Sequence, residues 1–237
     1  MCGTCGCEPG GAPTAPTPAT TTPTRRLELH QGLLSRNGTQ AALNRNHFRH
    51  HGLLVVNLLS APGSGKTSLL EQLAARWPRP PLAVIVGDLA TDNDARRLRA
   101  AGARAVQIRT GDLCHLDAQL VEGAFAQLDH RGVDLLVIEN VGNLVCPTAF
   151  DLGEQLRIAL LSVTEGEDKP LKYPALFATA DAVVLTKVDL AAATGFDREA
   201  AIANLTAIAP QAELFELSAR SGLGLDRLIR WLDAIPR

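Results

Sequence analysis

Residues 58–70, LLSAPGSGKTSLL, run from a buried apolar stretch through a glycine-rich turn into leucines at helical spacing. Gly65, Lys66 and Thr67 close a Walker A loop at the junction such a loop requires, with a strand before it and a helix after it. Backbone N–H groups of Gly63, Ser64 and Gly65, and of Lys66, Thr67 and Ser68 at the helix start, are expected to wrap phosphates. Lys66 reaches toward the β- and γ-phosphates, and the Thr67 hydroxyl is a Mg²⁺ ligand. Ser60 occupies the usual first glycine position of the motif, while Gly63 and Gly65 keep the backbone permissive.

On either side of this loop, apolar runs alternate with amphipathic ones. LLVVNLL (53–59), LAVIV (82–86), RAVQI (104–108), DLLVIE (134–139), AVVLT (182–186) and ELFEL (213–217) read as strands, and QLRIALLSVTEG (155–166) offers one more. TSLLEQLAARW, DARRLRAAG, LDAQLVEGAFAQLDHRG and GLDRLIRWLDAI read as helices between them. Near-continuous apolar strands spaced by helices predict an α/β fold, a mostly parallel central sheet flanked by helices on both faces.

Open α/β sheets place ligands at the C-terminal ends of strands. Asp88 in GDLATDND and Glu139 in VIENVGN fall at such ends and are candidate Mg²⁺ ligands, directly or through water. In LTKVDL, the Asp189 carboxylate complements N1–H and the exocyclic amine of guanine, whereas adenine presents an acceptor there. An unpaired buried polar group makes that discrimination strong, so GTP is expected over ATP. The Lys187 stem is expected to lie along the base, and Ser218-Ala219 in LSARSG to offer backbone N–H to the base carbonyl. Guanine-binding loops usually read N-K-x-D; Thr186 replaces the Asn.

The chain has 237 residues, 46% of them hydrophobic, enough for one sizeable core. A formal net charge of -2, without a one-sided basic stripe, argues against nucleic acid as a partner. No run approaches the ~18 apolar residues of a membrane span, and no secretory pattern opens the sequence, so a cytoplasmic location is expected. Residues 8–24 are almost entirely Pro, Thr, Ala and Gly and read as a disordered linker. Residues 25–51 read as a helical segment interrupted at Asn37-Gly38, and 52–237 as the nucleotide-binding domain.

Cys2, Cys5 and Cys7 stand ahead of that linker, as a separate motif over 1–7. C-x-x-C-x-C presents three thiolates to one ion, a Ni(II) or Cu(II) set when an amine or amide joins it; a redox cluster is the other reading. Cys114-His115 and Cys146 fall in loops on the nucleotide side of the sheet. Thiolate with imidazole suits Zn²⁺ or Ni²⁺, and a two-fold dimer would complete the shell. Two buried cysteines beside a surface histidine is the plainer alternative. His47, His50 and His51 read as solvated histidines before a strand.

MCGTCGC, SAPGSGKTSLL, GDLATDNDARRL, Cys114-His115, ENVGNLVCP, EGEDKPLKYP and TKVDL together resemble the HypB family of SIMIBI-class P-loop GTPases, which help load nickel into [NiFe]-hydrogenase. The resemblance covers nearly the whole chain. It implies a GTPase that dimerises with nucleotide. The expected mechanism is Mg²⁺-dependent GTP hydrolysis that switches dimer and metal-site state, with Lys66 and Mg²⁺ on the developing phosphate charge and Asp88 a candidate to position the attacking water. The resemblance further implies a tight nickel site at Cys2, Cys5 and Cys7, and a weaker Ni²⁺ or Zn²⁺ site at Cys114, His115 and Cys146 in a nucleotide-promoted homodimer. Implied partners are a HypA-type zinc-bearing metallochaperone and the hydrogenase large-subunit precursor. Many relatives carry a histidine-rich stretch after the cysteines; here a Pro/Thr linker stands instead, which argues against bulk nickel storage.

Overall fold

The computed structural model describes residues 23–79, 81–88, 92–111 and 113–237; Cys2, Cys5, Cys7 and most of the 8–24 linker lie outside the described residues. Seven strands, β1 (Leu54–Ser60), β2 (Ala83–Asp88), β3 (Arg104–Arg109), β4 (Leu135–Glu139), β5 (Leu156–Ser162), β6 (Ala182–Thr186) and β7 (Glu213–Glu216), form one sheet in the order β3-β2-β4-β1-β5-β6-β7. Every pairing is parallel. The further strand offered by 155–166 forms as β5 over Leu156–Ser162 and sits beside β1.

Both faces are covered. Leu54, Val56 and Leu58 of β1 pack with Leu69 and Leu73 of α2 (Lys66–Arg76), Leu98 of α3 (Asn93–Ala100) and Leu228 of α9 (Leu225–Ala234). The alternate residue Val55 turns to the opposite face, against Phe48 of α1 (Pro23–His50) and Phe125 of α4 (Ala118–Phe125). After α5 (Lys169–Lys172), which packs against α8 (Arg198–Ile208), come α6 (Pro174–Ala178) and α7 (Ala191–Thr194); Phe177 of α6 and Leu205 of α8 close a third cluster on Val183, on the same face as Val55. Each such fully buried side chain contributes about 1.5–3 kcal/mol of transfer free energy.

Two expectations are corrected. Helix α1 begins at Pro23 and runs unbroken through Asn37-Gly38. Asn37 is held in tertiary hydrogen bonds, donating to Asp151 O at 2.8 Å and accepting from Ala118 N at 2.9 Å, so its turn-forming side chain is occupied elsewhere. Asn44 adds bonds to the carbonyls of Ala118 and Leu152. The pattern read as helical to Gly132 supports a helix only to Phe125. Among the described residues no helix is long and apolar enough to cross a membrane.

Candidate functional site

Strands β1, β2 and β4 end at Ser60, Asp88 and Glu139, which places these residues together at the C-terminal end of the parallel sheet. Between β1 and α2 the chain turns through Gly63 and Gly65, whose φ values of 73° and 100° are left-handed and suit glycine. The turn opens onto a cleft of about 520 Å³ lined by Gly63, Lys66, Thr67, Asp88, Asp94 and Glu139, among others. Lys66 is folded back, donating to Ser60 Oγ at 2.9 Å and Ala61 O at 3.4 Å. Serine at the motif's first position thus gives the lysine a resting partner. Burial pulls the Lys66 ammonium below its usual proton affinity, against the opposing pull of Glu139.

Thr67 Oγ1 donates to Glu139 Oε1 at 2.7 Å, while Glu139 Oε2 is buried with no partner. Burial pushes the Glu139 carboxyl up to about 7, with the Thr67 hydrogen bond and Lys66 opposing. A buried carboxylate oxygen without a donor, touching a hydroxyl beside a phosphate loop, fits a divalent cation. Thr67, Glu139 and Asp88, the oxygen donors expected from the sequence, all line this cleft. Sequence reasoning missed Asp94 and Arg97, which also line this cleft. Arg97 pairs with Glu71 at 2.7 Å across the α2–α3 groove, a pairing invisible at 26 residues' separation.

A second pocket, about 210 Å³, adjoins the cleft and brings together Ser64, Gly65, Ser68, Lys187, Asp189, Ser218 and Ala219, all expected from the sequence to meet a nucleotide. Thr186 Oγ1 donates to Ser64 O at 2.7 Å and Lys187 Nζ to Gly63 O at 2.7 Å. The end of β6 is thereby tied to the phosphate loop, and Lys187 takes a left-handed φ of 58° as it turns.

The third group is tied to the segment that follows Glu139. Asn140 Oδ1 accepts from Leu116 N at 3.3 Å, and Asn143 Nδ2 donates to Cys114 O at 3.4 Å. Cys114 Sγ is 3.7 Å from His115 Nδ1, and its hydrogen bond with the Cys146 thiol raises its proton affinity. The His115 ring stacks on Phe150 at 3.9 Å, and burial lowers its proton affinity. These three residues meet, yet among the described residues no three His, Cys, Asp or Glu side chains are arranged to hold a metal ion. A groove of about 660 Å³ beside them exposes the apolar Leu33, Leu113 and Val145. His47, His50 and His51 pack ring against ring with His130 and Phe125, so they are a partly packed cluster as well as a solvated one.

Residues 54–216 match the family model described as CobW/HypB/UreG, nucleotide-binding domain. The chain is 53% identical over 210 residues to the hydrogenase maturation factor HypB of Azotobacter vinelandii, spanning 88% of this chain and 69% of that one. Its fold is similar to the crystal structure of HypB from Helicobacter pylori in complex with nickel, at TM-score 0.80 and 42% identity over 83% of this chain and 93% of that one. HypB from Archaeoglobus fulgidus gives TM-score 0.78 and 40% identity, over 84% and 98%.

Proposed function

Since the chain belongs to the CobW/HypB/UreG family, and within it to the HypB hydrogenase maturation factors, we propose that it is a GTPase that delivers nickel during [NiFe]-hydrogenase maturation. Nickel is the cargo, and GTP hydrolysis switches the state of the protein that carries it. The observation that carries this reading is the 139–143 segment, whose Glu139 accepts from Thr67 of the phosphate loop while its Asn140 and Asn143 side chains hold Leu116 N and the Cys114 carbonyl. A change at the phosphates is then felt at the loop bearing Cys114 and His115.

In this reading Lys66 leaves Ser60 for the phosphate oxygens, releasing a buried ammonium to a stronger partner. Backbone N–H groups of residues 63–68 surround the phosphates, and Asp189 with Ser218-Ala219 selects guanine. Thr67, Glu139 and Asp88 would hold a Mg²⁺ ion, which would supply charge neutralisation on the phosphates. Asp88 orients the attacking water. Cys114, His115 and Cys146 contribute their donors to a Ni²⁺ or Zn²⁺ site completed by a second copy of the chain. Cys2, Cys5 and Cys7 form the tight nickel site, and a HypA-type metallochaperone and the hydrogenase large-subunit precursor are the partners downstream.

The deciding experiment titrates Ni²⁺ into reduced, metal-free full chain and into a version lacking residues 1–7, each with and without a GTP analogue. A tight site lost on truncation and a weaker one altered by nucleotide support the proposal. Two sites indifferent to nucleotide instead indicate a nickel buffer. Lys66→Ala adds the same distinction, abolishing hydrogenase maturation for a GTPase and sparing the function of a buffer.

A further inference from the structure

Beneath the Cys146 turn (Cys146–Ala149) runs a buried polar chain that nucleotide and metal binding leave without a role. Arg157 on β5 donates from Nε to Glu154 Oε1 at 2.7 Å. Its Nη1 donates to Thr148 O at 3.1 Å and its Nη2 to Phe150 O at 3.3 Å. A single guanidinium thus holds a carboxylate with one edge and two carbonyls of the Cys146 segment with the rest of its fork. The side chains of Arg157 and Glu154 are 19% and 4% exposed, so these bonds are largely shielded from water.

The chain continues inward. Asn57 Nδ2 donates to Glu154 Oε1 at 3.2 Å, and Asn140 Nδ2 to Asn57 Oδ1 at 3.3 Å. Asn140 follows Glu139 directly, and Leu152 N satisfies Glu154 Oε2 at 2.7 Å. Phe150, whose carbonyl Arg157 grips, carries the ring that stacks on His115. A buried ion pair is often no better for stability than apolar residues of the same volume. What it adds here is placement, because a network with its members satisfied admits one arrangement.

We propose that Arg157 is a positioning residue for the Cys146 side of the metal site, fixing the 146–150 turn against Cys114 and His115. Through Glu154, Asn57 and Asn140 that placement is joined to the end of β4 that carries Glu139. The nickel consequence rests on the metal role proposed for Cys114, His115 and Cys146; the placement itself does not. Lysine at 157 keeps the positive charge but loses the planar fork that reaches both carbonyls.

The test uses the full chain with Cys2, Cys5 and Cys7 changed to serine, which leaves Cys114 and Cys146 as its thiols. The Cys146:Cys114 ratio of iodoacetamide alkylation rates is measured with GDP and with a GTP analogue, alongside Ni²⁺ affinity. Arg157→Lys is expected to raise that ratio about fivefold, erase its response to nucleotide, and weaken Ni²⁺ binding about tenfold, as loss of buried hydrogen bonds would. Glu154→Gln shifts the ratio in the same direction by a smaller factor. General loosening would speed both thiols alike and leave the ratio flat. A flat ratio in both variants therefore overturns the proposal. If the parent binds no Ni²⁺ at these residues, the metal reading fails, and the alkylation ratio still decides the role of Arg157.

Discussion

Thr67 and Glu139, 72 residues apart, share a 2.7 Å hydrogen bond that joins the first turn of α2 to the end of β4 and leaves the second Glu139 oxygen buried and unpartnered. This carboxyl, pushed up to about 7 by burial, makes the metal-free protein sensitive to pH. The folded-state value lies above the ordinary 4.5, so the folded state binds this proton more tightly than the unfolded one. The contribution to stability is then greatest below pH 4.5 and is lost as pH rises through about 7. That interval corresponds to about 3 kcal/mol. Urea unfolding in EDTA at pH 5 and pH 7.5 should show wild type losing stability relative to Glu139→Gln, and Mg²⁺ with a GTP analogue should remove the difference. A gap between the two proteins that does not change with pH would count against a perturbed Glu139.

Much of this was legible from one stretch of sequence. The phosphate loop, its flanking strand and helix, and the apolar strands fix a parallel sheet because each is a local pattern with a long apolar run behind it. Local patterns also collected the pocket residues Lys187, Asp189, Ser218 and Ala219. What the sequence hid depends on pairing across distance. Helix α1 looked broken at Asn37-Gly38 because the carbonyl that occupies Asn37, at Asp151, lies 114 residues away. Helix α8 did carry a local signal, Asp197 capping Ala200 N at 2.9 Å, in a segment of low apolar contrast.

Thr186 stands where guanine-binding loops usually have asparagine, and its hydroxyl holds the Ser64 carbonyl from within a buried position. Thr186→Val preserves shape and removes the donor, leaving a buried carbonyl unpaired at a cost of about 1–3 kcal/mol. Because that carbonyl belongs to the phosphate loop, the loss should appear as weaker GDP and GTP binding, roughly 5- to 150-fold by the same energy. Calorimetric titration with GDP checks it, and unchanged affinity would show that the loop holds its shape without Thr186. Thr186→Asn should bind at least as well as wild type if the longer side chain reaches the same carbonyl.

Asp189 lines the smaller pocket beside Lys187 and Ser218. In the proposed reading its carboxylate would accept from the amine and N1–H of guanine. Asparagine presents a donor in place of one acceptor, which suits the 2-carbonyl of xanthine. Asp189→Asn should lower GTP affinity at least tenfold and raise XTP affinity, since mispaired buried polar groups discriminate strongly. Competition against a fluorescent GTP analogue measures both. Equal losses for GTP and XTP would point to damage to the pocket in general and away from base reading by Asp189.

Gly142 lies three residues beyond Glu139, against the turn that precedes α2. A methyl group at this position would come within 2.9 Å of Pro62 Cα and 3.0 Å of Pro62 N, main-chain atoms with no rotamer to yield. Its backbone is not among those with positive φ, so Gly142→Ala carries no conformational strain of its own and acts through this contact. Either the 140–143 segment or the phosphate loop must shift by several tenths of an ångström. A displaced phosphate loop weakens every nucleotide, whereas a displaced 140–143 segment pulls on the Asn143 bond to the Cys114 carbonyl. Gly142→Ala is therefore expected to weaken GDP binding about tenfold, by analogy with other overpacked sites at 1–3 kcal/mol. Chemical shifts of Cys114 and His115 amides, compared between the two proteins without nucleotide, reveal how the strain divides. If GDP affinity and those shifts both match wild type, the close approach of Gly142 to Pro62 is not what couples the two segments.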